Sequence, residues 1–337
     1  MSKPAAIRPL GFAAPVATVA LALFVVFGAI SFATTAAAQD KVRVGVFPVS
    51  SSLPYFVALD RGYFKENNIQ PEMTQLIGGP ANLSAMLTDQ IDVAAVLVTI
   101  EAMNVNIKKP GTAMFIALDG QNVDYRMEQF VVRNGFKAES IKDLKGAKLM
   151  SAPGPANLAM ARAVLAANGL KEGTDYTIDQ LDMSLHANAM KAGTFDGGYT
   201  LEPVGTVMRH MGVARTLEAG IVARYVLKDP KAYAFSAGAA FTSRFIETRP
   251  DVAKRFYDAW ARAVKFINEN PQEAKKHLVG NTFTPAEVAP SVPLHHYFMV
   301  GDLTPVHREQ FQRYADFFVK DGTLPQKVDV NTMLKKF

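Results

Sequence analysis

The sequence predicts an α/β protein of two similarly built lobes behind an export signal, and three observations carry that expectation. Strand-like and helix-like segments alternate from Lys41 onward, the pattern of a largely parallel sheet. A short motif recurs at one spacing: Ala85-Met86 before Asp89-Gln90-Ile91-Asp92, and Ala189-Met190 before Gly193-Thr194-Phe195-Asp196. Each copy follows a helical stretch and precedes a strand, which implies one build used twice. The 337 residues include no cysteine, so packing alone holds the fold, and thiolate metal sites and thiol nucleophiles are excluded.

The export signal comes first. Lys3 and Arg8 give a basic start, Val16 to Ile30 is apolar, and Ala36-Ala37-Ala38 supplies the small residues a signal peptidase needs before Gln39. Removal of residues 1–38 and a periplasmic, unlipidated mature protein are expected, since there is no cysteine to carry a lipid. The alternative is an uncleaved anchor, because the uncharged stretch from Pro9 to Gln39 is long enough to span a bilayer. Pro15, Gly28 and the alanine-rich end argue against it. Without residues 1–38, which carry Lys3, Arg8 and no acid, 299 residues remain and the formal charge falls from +5 to +3. That suits two modest domains and no nucleic-acid partner.

In chain order, Val42 to Phe47 reads as a first strand, stopped by Pro48. Ser50-Ser51-Ser52-Leu53-Pro54-Tyr55 is a loop, and Phe56, Val57, Leu59 and Phe64 follow at helical spacing around Gly62. Ile69–Leu76 is a strand, Gly78-Gly79-Pro80 a loop, Ala81–Leu87 a helix and Ile91–Val98 a strand. Met103–Ile107 is helical and Thr112–Leu118 a short strand. Glu128–Arg133 is a strand placed to leave the first lobe. Lys148–Ser151 is a strand, and Gly154-Pro155 opens a helix from Ala156 to Asn168 that Gly169 stops. A helix reaching about His210 follows Glu202-Pro203, and Ala234–Phe241 is a return strand. Beyond Pro250 the chain is mainly helical, with Val252, Phe256, Ala259, Trp260, Ala263, Phe266 and Ile267 as one core-facing stripe.

A second echo, Gly79-Pro80-Ala81-Asn82-Leu83 against Gly154-Pro155-Ala156-Asn157-Leu158, does not fit the offset of the first. It reads as two loops solving one local problem. Both bring the chain to a helix start, where free backbone N–H groups favour an anion; the alternative is a pair of ordinary strand-to-helix turns.

No GxxxxGK(S/T), HExxH or GxSxG pattern is present. His295-His296 is an adjacent pair whose side chains point apart in an extended segment, so no metal is expected there. His186 reads as a surface or capping residue with cleft lining as the alternative. No cofactor and no catalysis are expected.

With Val42-Arg43-Val44-Gly45, Pro54 and Ala58, Gly62-Tyr63-Phe64-Lys65, Asp89–Asp92, Asp143-Leu144-Lys145-Gly146, Gly193–Asp196 and Glu202-Pro203 in order, the chain resembles the nitrate, sulfonate and taurine group of solute-binding proteins of ABC importers. The resemblance implies a type II periplasmic binding fold: two α/β lobes joined by two crossing strands, with a ligand cleft between them. Residues 39–126 with 236–337 would form lobe 1 and its C-terminal helices, and 127–235 lobe 2. It also implies a small-molecule ligand and an inner-membrane permease with a cytoplasmic ATPase; a monomer is the default.

Carried over by position, the cleft would be lined by Ser51, Ser52, Leu53, Pro54 and Tyr55, by Gly79, Pro80 and Ala81, and by Val98 and Thr99. Lobe 2 would add Gly154, Pro155, Ala156 and Asn157, with Thr200 and Glu202. These loops lie at the carboxyl ends of strands, where open α/β sheets bind ligands. Tyr125 and Arg126 are further candidate contacts, and Tyr55, Phe56 and Tyr199 candidate apolar walls. A small organic anion, sulfonate or carboxylate, is the first ligand expectation and a thiamin-pyrimidine-like heterocycle the second. Glu202 would repel an inorganic anion, so it either meets a ligand cation or pairs with an arginine inside the protein. A sensor input to a membrane receptor and an enzyme on the same fold are the rival functions.

Overall fold

Lys41 and Arg43 alternate with Val42, Val44 and Val46, so one face of β1 (Asp40–Val46) turns inward and the other meets water. The computed structural model describes residues 38–337; the expected signal segment up to Ala37 lies outside the described residues. After a 3-10 turn at Ser50–Ser52 come α1 (Leu53–Asp60) and α2 (Tyr63–Glu66), separated where Gly62 takes φ +76°. Then follow β2 (Ile69–Gln75), α3 (Gly79–Leu87), β3 (Val93–Val98), α4 (Thr99–Lys108) and β4 (Met114–Gln121).

The middle of the chain supplies β5 (Glu128–Arg133), β6 (Ala147–Ser151), α5 (Pro155–Ala167), β7 (Tyr176–Gln180) and α6 (His186–Lys191). It continues with β8 (Gly197–Leu201), α7 (Val204–His210) and β9 (Ala214–Ala219). The last third holds β10 (Ala234–Phe241), α8 (Ser243–Thr248), α9 (Pro250–Glu269), α10 (Pro271–Ala274), β11 (His296–Met299) and α11 (Pro305–Lys320).

Two sheets result. One has the order β11-β4-β10-β3-β1-β2 and the other β7-β6-β8-β5-β9. β1 runs parallel to β2 and β3, and β6 parallel to β7 and β8. β10 lies antiparallel between β3 and β4, and β5 antiparallel between β8 and β9. Both are the strands that arrive from the other lobe, β5 after β4 and β10 after β9, so each lobe is finished by a strand handed across. The expected largely parallel sheets are therefore mixed ones, reversed wherever the chain changes lobe.

The first sequence echo is a structural repeat. Asp92 Oδ2 accepts a hydrogen bond from the Arg43 backbone N–H at 3.0 Å, and Asp196 Oδ2 accepts one from the Lys148 N–H at 2.9 Å. In each lobe an aspartate opening the third strand of a parallel trio ties itself to the central strand, while Met86 and Met190 sit buried behind.

Three strands that the sequence did not announce, β7, β9 and β11, are all sheet edges. β7 and β9 expose alternate or most residues and carry polar side chains, and β11 is four residues long, so their apolar periodicity is weak. β4 runs three residues beyond its expected end because Asp119, Gly120 and Gln121 pair with β10 and β11, although aspartate and glycine are poor strand formers. α4 starts four residues early, directly after β3, with no glycine or proline to mark the change. The stripe of α9 is buried as expected, with Trp260 enclosed beside Phe256.

Candidate functional site

The carboxyl ends of β1, β3, β4 and β8, the starts of β5 and β10 and the first turns of α5 converge on one cavity between the sheets, with about 560 Å³ of space including its mouth. Four of the residues expected from sequence line it: Ser51, Val98, Ala156 and Asn157. Tyr199, expected as an apolar wall, lines it as well.

The remaining expected residues hold other posts. Ser52 Oγ donates to Phe47 O at 2.6 Å, and Thr99 Oγ1 to Phe235 O at 2.8 Å. Leu53, Tyr55 and Phe56 belong to the core beneath α9, with the Tyr55 ring 5.7 Å from that of Phe64; Pro54 is buried in the first turn of α1. Thr200 Oγ1 lies 3.0 Å from His186 Nδ1. The other His186 nitrogen faces Leu181 O at 3.1 Å, so Nε2 carries the proton and Nδ1 accepts from the threonine. His186 is thus a buried strut rather than a surface or cap residue, and burial lowers its pKa to about 4. Tyr125 and Arg126 lie outside the lining.

Glu202 is satisfied within the protein. Its Oε1 accepts from Gln129 Nε2 at 2.6 Å and from Arg209 Nη2 at 3.0 Å, and its Oε2 from the Thr206 N–H at 3.0 Å. Of the two roles open in the sequence, the arginine pair is the one formed.

The two Gly-Pro loops face each other across the cleft. Asn82 donates to Gly78 O at 3.2 Å and Asn157 to Pro153 O at 2.6 Å, the same bond to the carbonyl four residues back. Gly78, Gly79, Pro80, Gly154 and Pro155 are used in this construction, not in the lining, and Ala81 lies beyond it in α3. The anion that the helix starts invite is supplied by the chain itself. The Glu101 carboxyl of α4 lies against both loops: a Cβ on Gly79 would collide with its Oε2, and one on Gly154 would stand 3.4 Å from its Oε1.

Sequence reasoning missed the polar heart of the cavity: Asp119, Gln121, Glu128 and Ser236, with His295 assigned no role there. Asp119 and Gln121 end a buried strand, and the rule that ligands sit at strand carboxyl ends would have found them had β4 been drawn to its full length. Glu128 and Ser236 start the crossing strands, and Tyr314 comes from α11, where no local signal marks it. Gln121 Nε2 donates to Ser236 Oγ at 2.7 Å, Ser236 Oγ donates to Glu128 Oε1 at 2.6 Å, and Gln121 Oε1 accepts the Glu128 N–H at 3.1 Å.

Eleven buried side-chain polar atoms among the described residues lack a protein hydrogen-bond partner, and six belong to residues of this cavity. They are Ser51 Oγ, Asp119 Oδ2, Glu128 Oε2, Tyr199 OH and both ring nitrogens of His295. His295 Nε2 stands 3.6 Å from Asp119 Oδ2. Burial pushes the Asp119 carboxyl up to about 7, against a small opposing effect of Ser51, and raises Glu128 despite its hydroxyl and amide neighbours. Burial lowers His295 to about 3, so its ring is neutral. No lysine or arginine is among the lining residues.

Two sheets of this order, clasping a polar cavity at their strand ends, define a type II periplasmic binding fold. Residues 35–280 match the NMT1-like family, and the chain belongs to it. The fold is similar to that of the alkanesulfonate-binding protein SsuA from Xanthomonas axonopodis pv. citri bound to MOPS, at 18% identity and TM-score 0.69 over 90% of this chain and 100% of that one. It is also similar to the periplasmic nitrate-binding protein NrtA from Synechocystis PCC 6803, at 15% identity and TM-score 0.67 over 88% and 84%. The desulfurization enzyme DSZB shares it at 14% identity and TM-score 0.62 over 88% and 96%. No curated protein matches the sequence.

Proposed function

We propose that this protein is the solute-binding component of an ABC importer, exported by a cleaved signal, free of lipid, and monomeric. It takes up a small solute between lobe 1 (residues 39–126 and 236–337) and lobe 2 (127–235), and presents the closed form to an inner-membrane permease driven by a cytoplasmic ATPase. The observation that carries this is the set of six unpartnered polar atoms around one cavity, contributed by both lobes. Buried polar groups are costly unless bonded, and a solute that bonds to both lobes stabilises only the closed state, which ties occupancy to shape.

The lining, with two buried carboxyls and no lysine or arginine among the described residues, weighs against the sulfonate or carboxylate ligand expected from the sequence. The test is a thermal-shift screen of the mature protein against amines, carboxylates, sulfonates, nitrate and pyrimidines, followed by mass spectrometry of the released ligand. Stabilisation by one class with the compound recovered unchanged supports binding. Recovery of a transformed compound favours an enzyme, the use to which DSZB puts this fold.

A further inference from the structure

We infer that the solute held between Asp119 and Glu128 is a small cation with an apolar body, an amine or amidine whose protonated nitrogen donates hydrogen bonds to both carboxyl groups. The inference rests on the solute-binding reading and names its ligand class. Asp119 ends β4 and Glu128 begins β5, so the two carboxyls enter the cavity from either side of the first crossing of the chain. Each is more than nine-tenths buried and each keeps one oxygen without a protein donor. Ser236 already bonds to Glu128 Oε1 and the amide of Gln121 is held by Ser236, so beside the open oxygens stand only the neutral hydroxyls of Ser51 and Tyr199, and no charged donor.

Where the carboxyls are ionised, an anion at this place would meet two acceptors of its own sign and no balancing arginine or lysine. A cation meets free acceptor oxygens, with His295 as a further acceptor. The rest of the wall suits an apolar or aromatic body, with Phe47, Met127, Met160, Tyr199 and Leu201 around it.

Binding then depends on pH. Asp119 is faced by His295 and Tyr297, and Glu128 by Tyr199 and Tyr314, with Glu101 behind Tyr314. Burial disfavours the charged form of all of them. Asp119 therefore holds its proton up to about pH 7, Glu128 is raised as well, and both release protons when a cation enters.

The experiment is calorimetric titration of the mature protein with benzamidine and 2-phenylethylamine against the size-matched benzoate and benzenesulfonate, above and below pH 7, in buffers of different ionisation enthalpy. The expected result is cation affinity at least about tenfold above that of the anions at the higher pH, falling at the lower pH, with net proton release. Asp119→Asn and Glu128→Gln should each cost about tenfold or more in cation affinity while the protein still melts cooperatively. Tighter binding of benzoate or benzenesulfonate, or unchanged cation affinity in both variants, overturns the cation assignment and leaves solute binding standing. If no amine, amidine, carboxylate or sulfonate shifts the melting temperature, both fall.

Discussion

The carboxyl group of Glu101, in the first turn of α4, lies between Gly79 and Gly154, which open α3 and precede α5, and the backbone N–H of Ala156 holds its pKa down against burial. This contact brings one lobe against the other between two glycine-proline loops. Burial raises the Glu101 carboxyl to about 7, and its Oε2 has no protein partner.

Closing the lobes takes this carboxyl out of water, so the closed form binds its proton more tightly than the open form. Closure is therefore favoured as pH falls from 7 toward 4.5, the ordinary glutamate value. Glu101→Gln removes the charge and keeps an acceptor for the Ala156 N–H. The expected outcome is a shift toward the closed form above pH 7, with ligand affinity higher by roughly tenfold, and little change near pH 5. Small-angle scattering and calorimetry at the two pH values measure it; an equal effect at both would refute the account.

Stability should fall as pH rises above neutrality. Glu101 and Asp119 have folded-state pKa values raised to about 7, so their contribution is lost as pH rises from their unfolded values through about 7, and burial raises Glu128 in the same direction. His186, lowered to about 4, and His295, lowered to about 3, act in reverse: the unfolded chain binds their protons more tightly, and their own contribution falls as pH drops below 6.5. The two sets oppose each other between about pH 4.5 and 6.5, so urea unfolding should show a plateau there and a loss of stability above pH 7. Asp119→Asn should raise stability on the alkaline side, on the order of 3 kcal/mol, while it weakens binding.

Arg209 neutralises a carboxylate that is almost wholly enclosed. Arg209→Ala leaves Glu202 buried with only Gln129 and the Thr206 N–H, and it also strips Arg209 Nη1 from Gln129 Oε1 and Thr216 Oγ1. A loss of about 3 kcal/mol is expected by chemical denaturation, partly restored in Arg209→Ala with Glu202→Gln. Ligand affinity of the folded variant should be unchanged, because neither residue lines the cavity.

How far the sequence could be read depended on whether a residue's role was local. Strands with a clean apolar run, β5 and β10, were legible to the residue, and so were the proline-marked starts of α5 and α9. The repeated Asp92 and Asp196 were visible as a spacing before they were visible as a bond. Asp119, Glu128, Ser236 and Tyr314 were not legible, because they are brought together by two lobe crossings and a C-terminal helix. Loop residues with hydroxyls and glycines looked like ligand donors, yet Ser52 and Thr99 spend their donors on the backbone carbonyls of Phe47 and Phe235.

The paired asparagines separate structure from binding. Asn82→Ala and Asn157→Ala each lose a bond to the carbonyl four residues back, at a cost of about 1 kcal/mol each. Only Asn157→Ala should also weaken ligand binding, since Asn157 lines the cavity and Asn82 does not. Melting curves with and without ligand distinguish the two; equal ligand shifts in both variants would remove Asn157 from the site.

The handed-over strands also set an order of assembly. The sheet β7-β6-β8-β5-β9 is encoded by one uninterrupted stretch, Glu128 to Ala219, whereas β10 must slot between β3 and β4 after that stretch has been made. The inner half can mature as soon as it emerges, while the outer half waits with a gap at its centre for Ala234–Phe241. A gene fragment cut before that strand should yield a finished core flanked by an unfinished one.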